Sequence, residues 1–142
     1  MRDFYKEARE LHEKEKYEEA LKLYEQGIAA GDEKCWYGYG MSLHKGHALV
    51  QDERKGTEIL KEHYDSILSL ANSGDAAAMR IIGFCHYNGY VVEKNNSAGF
   101  EWLLKAANAG DPSAMHDVAR CYKNGECVNS DYEEAFKWYF KA

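Results

Sequence analysis

The sequence has one proline in 142 residues and no long apolar run. Proline ends or kinks helices, so its scarcity permits a chain of uninterrupted helices. No stretch approaches the roughly 20 apolar residues that span a bilayer. Residues 1–19 also lack the apolar central region of a secretory signal. We expect a cytoplasmic protein that does not act on membranes.

Phenylalanine is sparse as well, with five residues against eleven tyrosines and three tryptophans. This balance favours helices packed through amphipathic aromatic side chains over a strand-rich sandwich. The hydrophobic fraction of 45% is enough for one ordinary domain with a core. The composition therefore predicts an all-α fold.

The sequence also has no excess of basic residues. The chain has 18 Lys and Arg against 24 Asp and Glu, a formal charge of -6. Nucleic-acid binding rests mainly on Lys and Arg meeting phosphate. The charge balance thus argues against a nucleic-acid partner, unless the basic residues are concentrated in one patch.

The four cysteines lack paired C-x-x-C spacing, and His116, Cys121 and Cys127 fit no ordinary zinc pattern. Buried, reduced thiols are the simpler interpretation. Phosphate-binding glycine loops, nucleophile elbows and H-E-x-x-H segments are also missing. We expect no enzyme activity, no cofactor, no metal site and no catalytic residue.

The chain does contain a repeat. Shifted by 36 residues, it matches itself at many positions. The matched pairs include Asp75 with Asp111, Met79 with Met115, Cys85 with Cys121, Gly89 with Gly125, Phe100 with Phe136 and Trp102 with Trp138. Cys85 and Cys121 share one repeat position, as expected for a small core residue used twice.

Apolar residues within each repeat recur at helical spacing on both sides of a glycine, which predicts a helical hairpin. Gly110 is placed to end one helix, while Asp111 caps the next and Pro112 occupies its first turn. The junctions Gly31-Asp32 and Gly74-Asp75 repeat this pattern. Small residues such as Gly83 and Gly99 should let paired helices approach closely.

An earlier copy of the repeat begins 43 residues before the next copy, compared with a spacing of 36 between the later copies. It is therefore seven residues longer, and the extra residues lie near Tyr64 to Leu70. Seven residues add about two helical turns and keep the apolar face in phase. The predicted organisation is a single repeat domain, 1–142, of four antiparallel hairpins. Their ranges are roughly 1–31, 32–74 with a lengthened second helix, 75–110 and 111–142.

The repeated glycines, Trp102 and the K-A-A-x-x-G-D segment ending at Asp111 resemble the Sel-1-like repeat, a relative of the tetratricopeptide repeat. Residues 1–30 look more like a tetratricopeptide hairpin. The second glycine of the family's inter-helix loop is replaced by Ala48, Val91 and Cys127. The resemblance implies a right-handed α-solenoid whose members act as non-catalytic adaptors and scaffolds.

In this superfamily, one face of each hairpin's first helix lines the concave surface. The corresponding sixteen positions contain six Lys or Arg and no acidic residue. A basic, aromatic groove suits a protein or peptide partner with an acidic segment or a C-terminal carboxylate. The predicted peptide-binding residues are Tyr37, Arg80, Phe84, Tyr87, His116, Arg120 and Lys123.

Two alternatives to the groove stay open. Exposed basic residues are often ordinary solvated surface, without a ligand. The chain can also be a structural assembly module, because the last predicted helix has no cap after it and carries Phe136, Tyr139 and Phe140. These side chains would pair with a second copy, as a homo-oligomer, or with further repeats.

Overall fold

The computed structural model describes residues 2–125 and 128–142, and this part of the chain contains eight α-helices and no strand. In chain order the helices are α1 (Phe4–Glu13), α2 (Tyr17–Ala29), α3 (Lys34–Lys45), α4 (Glu53–Asn72), α5 (Ala76–Asn88), α6 (Asn96–Asn108), α7 (Pro112–Asn124) and α8 (Tyr132–Lys141).

Side-chain caps and glycines set the helix ends. The Asp111 carboxylate accepts hydrogen bonds from the backbone N–H groups of Ser113 and Ala114, and Pro112 lies in the first turn of α7. Gly110 before it has φ +98°, a conformation that suits glycine. The predicted junction at residues 110–112 is confirmed. At the start of α3, Glu33 is the capping position, while the Asp32 carboxylate accepts from the Lys34 N–H.

The chain forms two compact units, Met1–Ser66 and Ile67–Ala142, with the division inside α4. The α4 helix has 20 residues, whereas α6, the second helix of the next hairpin, has 13. The single domain with four hairpin ranges stays a prediction.

In the second unit, each helix from α5 to α8 packs against the next one along the chain. Leu103, Val118 and Cys121 are fully buried in its core, and Trp138 is 8% exposed. Gly83 and Gly99 bring α5 and α6 together: a Cβ atom on Gly99 would lie 3.0 Å from the Gly83 carbonyl oxygen. The predicted close approach of these helices is confirmed.

In the first unit, α1, α2 and α3 pack on one another around Tyr24, which is 1% exposed. The Tyr24 ring lies against Gly38, where a Cβ atom would overlap it. Gly56 of α4 also lies close to α3, since a Cβ atom added to Gly56 would be 2.6 Å from the Gly40 carbonyl oxygen. Small residues thus set the helix spacing in this unit also.

Two inter-helix loops keep a left-handed residue where the repeat pattern has its second glycine. Ala48 has φ +62° and Val91 has φ +64°. This conformation is unfavourable for residues with a Cβ atom, above all β-branched ones. The third such position, Cys127, lies outside the described residues.

The cysteines at positions 35, 85 and 121 are buried and free of disulfides. Burial raises the pKa of the Cys35 and Cys85 thiols to about 12. These three cysteines are the buried thiols that the sequence predicts, and Cys127 lies outside the described residues. Among the described helices, none combines the length and the apolar character that crossing a membrane requires.

Candidate functional site

The predicted peptide-binding residues fall in both compact units. Tyr37 lies on α3 in the first unit. The other six lie in the second unit, on α5 and α7. Within the second unit, their contacts divide them into a buried ion-pair group and an exposed basic face.

Arg80 forms the centre of the buried group. Its Nε donates a hydrogen bond of 2.6 Å to Oδ2 of Asp117, which joins α5 to α7. The Arg80 side chain is 13% exposed and that of Asp117 only 7%. The Arg80 guanidinium also lies over the Phe84 ring, 4.6 Å from its centroid. The positive charge of Arg80 is therefore largely neutralised by Asp117 inside the protein.

Asp117 also lies near a second guanidinium. Its Oδ1 is 3.8 Å from Nη2 of Arg120, one turn further along α7. The Arg120 side chain is 48% exposed, so its contact with Asp117 is long and open to solvent. One buried carboxylate thus faces two guanidinium groups, and this group of three keeps a net positive charge.

The solvent-facing side of α7 carries His116, Arg120 and Lys123, which we call the α7 basic face. All three residues are exposed. Their spacing of four and three residues places them along one side of the helix. The one carboxylate within α7 is the buried Asp117. The His116 ring lies 5.7 Å from the Tyr139 ring of α8.

Phe84 and Tyr87 supply half-buried aromatic surface on α5. The Arg80–Asp117 hydrogen bond links their helix to α7. A cationic face and aromatic rings therefore belong to the same unit. This combination can hold a carboxylate and pack the apolar side chains next to it.

Tyr37 has a different environment, because it is only 9% exposed and lies near Arg9, which also interacts with Tyr24. Burial lowers the pKa of the Arg9 guanidinium, but the tyrosine hydroxyls and Glu13 raise it by more. Burial is also the main reason that the pKa of the Tyr24 hydroxyl is raised. Arg9 thus joins a mostly buried tyrosine cluster.

Sequence reasoning missed two further side-chain groups in the first unit. Nδ1 of His47 lies 3.2 Å from Nε2 of His12, and the His47 ring stacks on Tyr17 at 4.1 Å. Nδ1 of His63 lies 2.8 Å from the Glu33 carboxylate, and Trp36 stacks on the His63 ring at 4.3 Å.

These paired residues are 35 and 30 positions apart, so no short motif could reveal them. Neither pair extends into a metal site, because the described part of the chain contains no group of three or more His, Cys, Asp or Glu that could hold a metal ion.

Comparison with solved structures identifies helical-repeat proteins. A Sel1 repeat protein from Oxalobacter formigenes is 22% identical with a TM-score of 0.54, and the match covers 87% of this chain and 47% of that one. A protective antigen of uropathogenic Escherichia coli with an SLR fold is 20% identical with a TM-score of 0.53, covering 86% and 25%. This chain spans about half or less of their lengths. The predicted all-α fold of the solenoid class is confirmed.

No curated protein matches this chain. The family model of the Sel1 repeat, however, matches residues 12–32, 76–111 and 112–142, which together exceed half of the sequence. The first match includes part of the hairpin that looks like a tetratricopeptide repeat. Proteins with this repeat generally mediate protein–protein interactions or scaffolding and are typically non-catalytic. This chain belongs to the Sel1 repeat family.

Proposed function

We propose that this chain is a non-catalytic adaptor that binds an acidic segment of a partner protein along the α7 basic face. Membership of the Sel1 repeat family supports a role in protein interaction. One observation carries the acidic preference: the basic side chains of α7 are exposed, whereas its one carboxylate, Asp117, is 5% exposed and paired with Arg80.

Each residue of the α7 basic face has a chemical role in this proposal. Arg120 offers two parallel N–H donors to a carboxylate, and Lys123 offers a mobile point charge one turn further on. His116 marks the other end of the face, beside Tyr139. Phe84 and Tyr87 would pack apolar side chains between the acidic positions of the peptide. A C-terminal carboxylate is one candidate for the group held by Arg120.

Arg80 has a supporting role in this arrangement. A peptide carboxylate would have to displace Asp117 to reach the Arg80 Nε atom, and Asp117 would then lose its partner while buried. We therefore assign peptide binding to Arg120 and Lys123 and the positioning of α7 to Arg80. The contact predicted for Tyr37 stays a prediction, and only 9% of this residue is exposed.

The experiment is selection from a displayed peptide library that contains both internal segments and free C-termini. The native protein is compared with an Arg120→Glu, Lys123→Glu variant. The matched control is Lys22→Glu, Lys61→Glu, which makes the same charge change at two exposed lysines of α2 and α4. Circular dichroism and thermal melting establish that all three proteins are folded.

We expect the native protein and the control to enrich the same acidic peptides and the α7 variant to lose them. Enrichment that depends on a free C-terminus would identify the terminal carboxylate as the bound group. Equal enrichment by all three proteins, or enrichment of peptides without acidic residues, would contradict the proposal.

We also propose a cytoplasmic location, supported by the three buried free cysteines at positions 35, 85 and 121. Fractionation of cells that express the tagged protein tests this directly. Recovery from a membrane or secreted fraction would contradict it.

A further inference from the structure

Two short rows of side chains in the second unit have the same spacing. Phe84 and Tyr87 form what we call the aromatic row of α5, and Arg120 and Lys123 form the cationic row of α7. In each row the two residues are three positions apart, so they are separated by about 4.5 Å along the helix axis. The repeat shift of 36 residues matches the aromatic row with the cationic row, residue by residue. Equivalent positions of two repeats are therefore aromatic in one and cationic in the other.

The hydrogen bond between Arg80 and Asp117 joins α5 to α7 one turn before these rows. The Arg80 side chain is 13% exposed and that of Asp117 is 7% exposed, so a ligand meets little free charge at this level. The exposed charges of Arg120 and Lys123 follow it, in the half of α7 that ends at Asn124. The cationic row therefore lies next to the C-terminus of α7.

The fold holds the aromatic row in place. The Arg80 guanidinium lies 4.6 Å from the centroid of the Phe84 ring, and Phe84 packs against the buried core of the unit. The backbone of Tyr87 lies against α6, because a Cβ atom added to Gly99 would be 3.1 Å from the Tyr87 nitrogen. The spacing of the aromatic row is therefore fixed, whereas the longer side chains of the cationic row can adjust.

This spacing distinguishes between two conformations of a bound segment. On one face of a helix, side chains recur every three or four residues, about 4.5–6 Å apart along the axis. On one face of an extended strand they recur every two residues, about 6.6 Å apart. The aromatic row matches the helical spacing. A helix can also carry an apolar and an acidic stripe side by side, which suits an aromatic row and a cationic row.

Electrostatics favours one direction for such a helix. The last carbonyl groups of α7 carry partial negative charge, and the first N–H groups of another helix carry partial positive charge. A helix that docks antiparallel to α7 brings its N-terminal turn beside Arg120 and Lys123. Asp and Glu are favoured in the first turn of a helix, so the same carboxylates stabilise the partner helix and pair with the cations.

We propose that the acidic segment bound by this protein is an amphipathic helix that lies antiparallel to α7. Its acidic N-terminal half faces Arg120 and Lys123, and its apolar stripe packs on Phe84 and Tyr87. This inference rests on the proposed function, because it specifies the conformation and direction of the segment that the α7 basic face binds. A short peptide of this kind forms little helix alone in water, so its helix forms on binding.

The peptides that the native protein enriches and the Arg120→Glu, Lys123→Glu variant loses are the probes for this inference. We expect their acidic residues to recur three or four positions apart, with apolar residues on the neighbouring helical stripe. NMR of an isotopically labelled peptide should show helical chemical shifts in the complex. Acidic residues two positions apart, with the shifts of an extended chain, would overturn the inference.

Proline substitutions provide a matched pair of peptides. Proline at an interior position where alanine leaves the affinity unchanged should weaken binding at least about tenfold, because it removes a helical hydrogen bond and clashes with the preceding turn. Proline at the first helical position should leave the affinity within about twofold, since the N–H group there makes no helical bond. Fluorescence anisotropy measures both affinities. Equal affinity for the two proline peptides would contradict a bound helix.

Spin labels on the peptide test its direction. A nitroxide at the peptide N-terminus should broaden the backbone NMR signals of Lys123 more than those of Ser113, at the other end of α7. A nitroxide at the peptide C-terminus should have the opposite effect. The reversed pattern for both labels would show parallel docking and overturn the proposed direction.

Failure of this inference and failure of the proposed function give different results. Acidic peptides that need Arg120 and Lys123 but bind in an extended conformation would overturn the helix and leave the proposed function intact. A library without enriched acidic peptides, or equal enrichment by the Arg120→Glu, Lys123→Glu variant, would contradict the proposed function and this inference with it.

Discussion

At the scale of single residues, Asp117 determines which basic side chains of the second unit are paired inside the protein and which remain available to a ligand. It is 5% exposed and hydrogen-bonded to Arg80, and it lies one turn from Arg120. A buried carboxylate without a partner is unfavourable, so Arg80 is needed where it is. Arg120 is about half exposed and its pair is long, so its charge remains available to a ligand.

This difference predicts unequal effects of two similar substitutions. Arg80→Ala should lower the free energy of unfolding by about 3 kcal/mol, because Asp117 stays buried with only its long contact to Arg120. Arg120→Ala should lower it by about 1 kcal/mol or less. Chemical denaturation of both variants measures the two changes, and equal losses would contradict the division of roles.

The ion pair also shows what the sequence could not reveal. Arg80 is one of the sixteen positions predicted to line the concave surface, but Asp117 is not one of them and lies 37 residues away. Helical periodicity places a residue on a face without giving its partner on another helix. The pairs His12–His47 and His63–Glu33 could not be predicted from the sequence for the same reason. Contacts of this kind depend on how the helices pack.

His12 is a second residue with a particular environment, near the end of α1. Burial, together with the nearby His47, Arg9 and Lys45, lowers its pKa from 6.5 to about 4. Its Nδ1 atom is buried without a hydrogen-bond partner. The folded protein therefore holds this ring neutral, whereas the unfolded chain binds a proton below pH 6.5.

Acidification should consequently destabilise the protein through His12. Between pH 6.5 and 4 the unfolded state binds more protons at this residue, so stability falls as the pH falls. Because the ring is partly exposed, we discount the full effect and expect about 1–2 kcal/mol. Thermal melting across this pH range measures it.

The control for this prediction compares two histidine variants. His12→Phe should reduce the pH dependence, whereas His116→Gln, which removes an exposed histidine of α7, should retain it. An unchanged dependence in His12→Phe would assign the effect to other groups.

At the scale of elements, the sequence predicts the repeated parts well because their causes are local. The Gly110-Asp111-Pro112 junction combines a left-handed glycine, a capping carboxylate and a first-turn proline, and each acts within a few residues. The Gly83–Gly99 contact was also predictable, since the repeat register places small residues opposite each other. The conformation of the inter-helix loops was harder to predict from the sequence. When another residue replaces a repeat glycine, the sequence does not reveal whether that residue keeps the left-handed conformation.

In the loop after α5, the backbone keeps the left-handed conformation of the repeat glycine, although this conformation is unfavourable for a residue with a side chain. Val91 has φ +64° although it is β-branched, and the residue is 36% exposed. Val91→Gly should remove the strain and raise the free energy of unfolding by roughly 0.5–1 kcal/mol, after allowance for the greater entropy of glycine in the unfolded chain. Chemical denaturation measures the gain.

Val92→Gly is the matched control in the same loop. Val92 does not have a positive φ, so glycine there relieves no strain. Because Val92 is half-buried, glycine adds a loss of packing to the entropic cost, and stability should fall by at least about 0.5–1 kcal/mol. A loss of stability in Val91→Gly would show that its side-chain contacts outweigh the backbone strain.

At the scale of the whole molecule, net charge and local charge have opposite signs. The chain carries a formal charge of -6, whereas the α7 basic face carries exposed Arg120 and Lys123. Exposed charges further apart than about 10 Å are largely screened at 0.1 M salt. A short acidic peptide therefore responds mainly to the local face, while a long polyanion also meets the acidic remainder of the surface.

The last prediction follows from this contrast. At about 0.1 M salt, a short acidic peptide from the selection should bind, and a single-stranded DNA long enough to extend beyond the α7 basic face should bind at least about tenfold more weakly. Adding salt to about 1 M should weaken peptide binding, because it screens the contacts of Arg120 and Lys123. Fluorescence anisotropy with labelled peptide and DNA measures both affinities. The Lys22→Glu, Lys61→Glu control should retain the peptide affinity, since neither lysine belongs to the α7 basic face. DNA binding as tight as peptide binding, with a steep fall in salt, would instead indicate a phosphate-binding surface.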